Sequence, residues 1–167
     1  AGKTTLINLL TGNILPDSGK VFFYDEEITH LPIHKRVKKG ICRSFQIMNI
    51  FPKLTVFENL QIPIFSLMNR SLSFIKPVGR HADVNKRSEK LLEEIGLRDK
   101  KDLPAGTLSH GDQRLLEIGL AMAPDPKLLF LDEPTAGMNP VERVKVLENI
   151  RRLSREKQST FVIVEHD

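Results

Sequence analysis

Residues 128–134 read Leu-Leu-Phe-Leu-Asp-Glu-Pro, a short apolar run that ends in two adjacent carboxylates and a proline. Apolar runs of this length without alternation mark strands buried on both faces, the habit of parallel sheets. Parallel neighbours need crossover connections, and the flanking sequence supplies them. Gly111 to Ala123 predicts a helix stopped by Pro124, Val141 to Glu156 an amphipathic helix, and Thr160 to Val164 a second buried strand. Strand, helix, strand gives an α/β fold with a mainly parallel sheet. Asp132 and Glu133 then stand at the carboxyl edge of that sheet, where open α/β sheets bind their ligands.

Toward the amino end, Leu6, Ile7, Leu9 and Leu10 give an apolar helix face that stops at Thr11-Gly12-Asn13. Pro16-Asp17-Ser18-Gly19 is turn chemistry, and the β-rich Lys20 to Tyr24 after it predicts a strand and hairpin, an antiparallel portion. Gly40 to Phe45 reads as another short strand. From Phe51 to Gly106 the pattern turns helical, with Val56, Leu60 and Ile64 spaced by four, a Ser/Pro/Gly-containing stretch from Ser71 to Gly79, then Leu91, Leu92, Ile95 and Leu97. The expected division is one domain over 1–167, with a core of 1–50 and 107–167 and an inserted helical subdomain of about 51–106.

Composition narrows the class. The 167 residues, 40% of them hydrophobic, suffice for one core but not for two independent ones. No low-complexity tract or internal repeat occurs, and no apolar run approaches the roughly 18 to 20 residues of a membrane span. Cys42 is the only cysteine, which excludes an intramolecular disulfide and a cysteine-rich zinc site and fits a reducing compartment. The net charge is +4. Its densest basic stretch, His34 to Lys39 with Lys35, Arg36, Lys38 and Lys39, reads as a solvated surface rather than a seat for an acidic partner.

Gly2-Lys3-Thr4-Thr5 has the closing chemistry of a phosphate-binding loop. Backbone N–H groups at a helix N-terminus face the phosphates, Lys3 reaches the terminal ones and the Thr4 hydroxyl serves Mg2+. Alone the tripeptide is a weak signal. The distant carboxylates strengthen it, because Asp132 can hold magnesium through water and Glu133 can polarise a water in line with the terminal phosphoryl group.

Between these elements lies Leu108-Ser109-His110-Gly111-Asp112-Gln113-Arg114, which resembles the signature motif of ABC ATPases. The resemblance covers essentially the whole chain and adds Gln46 as the Q-loop glutamine, Ala136-Gly137-Met138-Asn139-Pro140 as the D-loop and His166 as the switch histidine. It implies a P-loop NTPase core that binds ATP with Mg2+. Lys3, Thr4 and Thr5 would hold the nucleotide, and Thr4, Gln46 and Asp132 would serve the metal. Glu133 and His166 would act on the terminal phosphate. It also implies that Ser109, His110, Gly111, Asp112 and Gln113 meet the ATP of a second ATP-binding subunit, with Gly137 and Asn139 alongside. Ser109 is equally an ordinary N-cap, and the two roles are compatible.

The family more often has glycine at His110, glutamine at Asp112 and aspartate at Asn139. The variant signature, Leu116-Glu117-Ile118-Gly119 after it, the D-loop form and the long stretch from Phe65 to His81 are most similar to the ATP-binding subunits of branched-chain amino acid importers and their urea and amide relatives. Such a subunit would sit at the cytoplasmic face of the membrane on permease subunits, with Phe51, Leu54, Thr55 and Val56 forming the groove for a permease helix. A solute-binding protein would take part indirectly, and no nucleic acid is expected. A soluble ABC ATPase acting on nucleic acid or ribosomes, and a non-hydrolysing scaffold, are the other classes open to such motifs. The sequence begins inside the phosphate loop and ends just after His166, so it reads as a piece of a longer chain, expected to be poorly soluble alone.

Overall fold

The computed structural model describes residues 2–44, 50–67 and 82–165. Its centre is a three-stranded parallel sheet of β3 (Ile41–Arg43), β4 (Leu128–Asp132) and β5 (Thr160–Val164), in that order. Leu129 pairs with Cys42 on one side and Phe161 on the other. Because side chains alternate along a strand, β4 serves two cores. Leu129 and Leu131 point into the larger one, and Phe130 into a smaller one with Ile7, Ile28 and Ile41.

The larger core is built by helices α3 (Val56–Leu67), α4 (Ala82–Ile95), α5 (His110–Met122) and α6 (Pro140–Glu156). Thr55 and Glu58 close a capping box at the start of α3: the Thr55 N–H donates to the Glu58 carboxylate at 2.8 Å, and the Glu58 N–H to Thr55 Oγ1 at 3.1 Å. α5 lies at the centre, with Leu115, Leu116 and Ile118 buried. Gly119 lets α5 approach its neighbours, since a Cβ there would lie 2.9 Å from Ile95 Cδ1 and 3.0 Å from Leu60 Cδ2.

On the smaller core sit α1 (Lys3–Thr11) and the antiparallel pair β1 (Phe22–Phe23) and β2 (Glu26–Glu27). The pair is the predicted hairpin, shorter than the β-rich run suggests, turning through Tyr24 at φ 52°. Two expectations are corrected. β5 is not a buried strand: Thr160 is exposed and Ile163 is 40% exposed, because among the described residues β5 pairs only with β4 and forms the sheet edge.

The second correction concerns the basic stretch, which is helix α2 (Ile33–Lys39) and not simply a solvated surface. Lys35 and Lys38 are exposed, but Arg36 is fully buried. Its guanidinium donates to the carbonyls of Leu9 at 2.7 Å, Thr29 at 2.8 Å, and Leu10 and Leu31 at 2.9 Å. Leu9 and Leu10 are in the last turn of α1, where the Leu9 carbonyl has only a long 3.3 Å bond from the Gly12 N–H, so a cation there also meets the negative end of the helix dipole. Gly12 closes α1 at φ 86°, and a Cβ there would lie 2.8 Å from Arg36 Nε. Arg36→Ala should therefore cost about 3 kcal/mol by stranding buried carbonyls, whereas Lys35→Ala should cost about 0.5 or less; urea unfolding of the two variants measures the difference.

Candidate functional site

The site grows from the carboxyl ends of β4 and β5. Asp132 ends β4 at 1% exposure, and the chain turns at Glu133 with φ 48°, a left-handed conformation costly for a side-chain-bearing residue. Two contacts hold the turn. The Glu133 N–H donates to Val164 O at 2.7 Å, and the Arg114 guanidinium, from α5, donates to the carbonyls of Asp132 at 2.8 Å, Glu133 at 2.9 Å and Pro134 at 3.2 Å. Arg114 is itself paired with Glu117 at 2.7 Å.

Lys3 reaches the same edge. Gly2 takes φ 98° before α1, and the Lys3 ammonium donates to Glu165 O at 3.0 Å, one residue past β5. The Glu165 carboxylate accepts from the Thr135 hydroxyl at 2.8 Å, so the turns after β4 and β5 are tied together. Thr4 and Thr5 are exposed in the first turn of α1, which carries no acidic residue. An exposed helix N-terminus with a lysine beside it is an anion site in waiting. Gln46 and His166 lie outside the described residues.

Asp132 is also paired from the opposite side, by Arg43 at the end of β3, with Nη2 2.6 Å from Oδ2. Nη1 of the same guanidinium donates to Asn8 Oδ1 in α1. Among the described residues no cluster of three or more His, Cys, Asp or Glu could cage a metal. One carboxylate with one exposed hydroxyl suits Mg2+, which keeps much of its shell on water and substrate phosphates.

The signature residues separate by role. Ser109 is the exposed N-cap of α5, its hydroxyl oxygen accepting from the Asp112 N–H at 3.2 Å, and His110 beside it is exposed. Asp112 is buried and ion-paired with Lys145 at 2.7 Å and with Lys100. Burial pushes its carboxyl pKa up, but the two lysines outweigh burial and the net direction is down. Gln113 donates to Leu108 O at 3.2 Å.

Gly111 packs on the start of α6: a Cβ there would meet Glu142 Cβ and Cγ at 3.2 Å, and its N–H donates to Glu142 Oε1 at 3.2 Å. Asn139 caps α6, its Oδ1 accepting from the Glu142 N–H at 3.0 Å and its Nδ2 donating to Glu142 Oε2 at 2.9 Å. Gly137, at φ 72°, passes beside His110. Signature and D-loop thus form one surface. Sequence reasoning missed Arg43, Glu142, Glu165 and the lysine partners of Asp112; Arg114 stood inside a quoted motif without a role.

A cleft of about 340 Å³ opens beside β3, lined by Arg43, Ser44, Phe51, Ile62, Pro63 and Glu117 among others. Phe51, expected in a partner groove, is on its wall and 53% exposed, while Val56 is fully buried in the core instead. No helix among the described residues is long and apolar enough to cross a membrane.

The sequence profile of the ABC transporter family matches residues 1–136. Across all of its length the chain is 36% identical to the high-affinity branched-chain amino acid transport ATP-binding protein LivG of Escherichia coli K12, covering 68% of that protein. Its fold matches MJ1267, an ATP-binding cassette of an ABC transporter, with a TM-score of 0.85 and 34% identity over 99% of this chain and 66% of that one. It also matches the ATP-binding cassette MJ0796, a dimeric post-hydrolysis state bound to ADP and Pi, with a TM-score of 0.75 at 25% identity over 99% of this chain and 70% of that one. The chain spans about two thirds of the length of these relatives.

Asp112→Asn should lower stability by about 1–2 kcal/mol at neutral pH, because both lysines lose their ionic partner. Since the folded pKa is lowered, the contribution is fully present above the ordinary Asp value of about 4 and is lost as pH falls through the lower folded value. The gap between wild type and variant should close on acidification, which urea unfolding at a series of pH values reads directly.

Proposed function

The chain belongs to the ABC transporter family as an ATP-binding subunit homologous to those of branched-chain amino acid transporters, and on that premise we propose that it hydrolyses ATP to drive solute uptake through permease subunits. The observation that carries the reading is the convergence of Lys3, Asp132 and Glu133 on one sheet edge, with the ammonium of Lys3 held by a backbone carbonyl rather than a carboxylate. A carbonyl is a weak partner that an incoming phosphate displaces.

In this mechanism the phosphates of ATP sit on the N–H groups opening α1 and on Lys3. Thr4 and Asp132, with Gln46, would hold Mg2+, which would supply charge neutralisation at the phosphates. Glu133 takes a proton from a water molecule as that water's oxygen bonds to the γ-phosphorus; the bond from that phosphorus to the β,γ-bridging oxygen breaks, leaving ADP and phosphate. His166 and Lys3 stabilise the charge on the transferring group. Ser109, with the helix end of α5, faces the ATP of a second subunit, and Gly137 and Asn139 flank it, so turnover requires a head-to-tail dimer.

The substrate class we assign is branched-chain amino acids, handled by the permease and a solute-binding protein. The cleft at Phe51 receives a permease helix, which holds the subunit at the cytoplasmic face of the membrane. A nucleic-acid role draws no support from the basic stretch: Arg36 is spent on carbonyls and Lys39 is paired with Glu26.

Two substitutions in the full-length chain test the reading. Glu133→Gln should leave ATP affinity within about threefold while turnover falls by a factor of about 100 or more; an unchanged rate removes Glu133 from the role of base. Lys3→Ala should weaken ATP binding itself, by about tenfold, through loss of a charge-assisted contact. Fluorescent-nucleotide titration and phosphate release measure the two quantities separately.

A further inference from the structure

Arg43 belongs to none of the motifs that name the site, yet it touches three parts of it. Its side chain is 9% exposed. Nη2 donates to Asp132 Oδ2 at 2.6 Å, Nη1 donates to Asn8 Oδ1 on α1, and the residue lines the cleft with Phe51 and Ile62. Asp132 is 1% exposed, and its contact with Arg43 falls on Oδ2 alone. The guanidinium thus fixes one oxygen of the carboxylate without covering the other.

The choice of arginine matters. A guanidinium is a planar fork, so its two contacts are made at a fixed mutual angle, whereas an ammonium would meet either oxygen as a point charge. With Nη1 anchored on α1, the helix that opens with Lys3 and Thr4, the direction from which Nη2 meets Asp132 is set by the same element that carries them. A carboxylate that must meet a cation through water needs such an orienting partner, because the cation's affinity depends on groups hydrogen-bonded to its ligands.

We propose that Arg43 is a positioning residue for the divalent cation: braced on Asn8, it holds Asp132 by Oδ2 and so presents Oδ1 to a water of the Mg2+ shell. This rests on the reading above that the chain binds ATP with magnesium. Charge alone predicts the reverse, since removing a cation beside Asp132 would strengthen attraction for a second one. The sign of the effect therefore separates positioning from a plain ion pair.

The test uses the full-length chain with ADP and Mn2+, the bound Mn2+ counted by electron paramagnetic resonance. Arg43→Gln should weaken nucleotide-dependent Mn2+ binding by about tenfold while ADP affinity measured without divalent cation stays within about twofold. Arg43→Lys should recover only part of the loss. Asn8→Ala, which leaves the ion pair in place but removes its brace, along with an exposed contact from Asn13 at 3.3 Å, should weaken Mn2+ binding by about threefold and decides the matter if the Arg43 variants do not fold. Unchanged or tighter Mn2+ binding in Arg43→Gln, or in Asn8→Ala, overturns the proposal. A wild-type chain that binds neither ADP nor Mn2+ overturns the ATP-binding reading instead, and this proposal with it.

Discussion

Arg114 reaching three consecutive carbonyls is the contact on which the rest of the site depends. Backbone carbonyls at the end of a central strand lose their ladder partners, and here they bend through a residue held at φ 48°. Left-handed geometry at a residue with a side chain costs about 1 kcal/mol or more, so the corner persists only if something else holds it. Arg114, fixed in turn by Glu117 and anchored in the most buried helix, supplies that hold. Glu133 is thereby projected from a set position, and its N–H closes on β5, bringing Glu165 and Lys3 into register.

The departures from the common motifs make sense as partnerships. Asp112 stands where glutamine is usual, and a carboxylate there is matched by Lys100 from the turn after α4 and Lys145 from α6. Asn139 stands where aspartate is usual. Either residue can cap α6, but only an amide can also donate to the Glu142 carboxylate, where an aspartate would place like charges together. Glu142 spends its other oxygen on the Gly111 N–H, so the cap of one helix steadies the start of another.

The sheet and its carboxylates were legible in the sequence because both faces of β4 are covered, and double coverage writes itself as an unbroken apolar run. Thr160 to Val164 shows the same pattern without the same burial, since among the described residues only β4 pairs with it and composition does not record pairing. Arg36 was misread for a related reason: an arginine among lysines looks solvated, and only the meeting of α2 with the end of α1 turns it inward. The place of Asp132 at the end of β4 and of Ser109 as the N-cap of α5 was readable because strand ends and helix caps leave local signatures. Arg43 was not, and neither was the reach of Glu142 to Gly111, because those partners lie 89 and 31 residues away and no local pattern encodes the encounter.

The 13 residues of α5 amount to a rod about 20 Å long. Its exposed tip carries Ser109 and His110, its flank is bolted to the corner at Asp132 and Glu133, and its third turn is seated closely at Gly119 against Ile95 and Leu60. A rod held in this way tilts before it bends. The exposed tip and the hold on the β4 corner therefore belong to one element, about one and a half turns apart along the same helix.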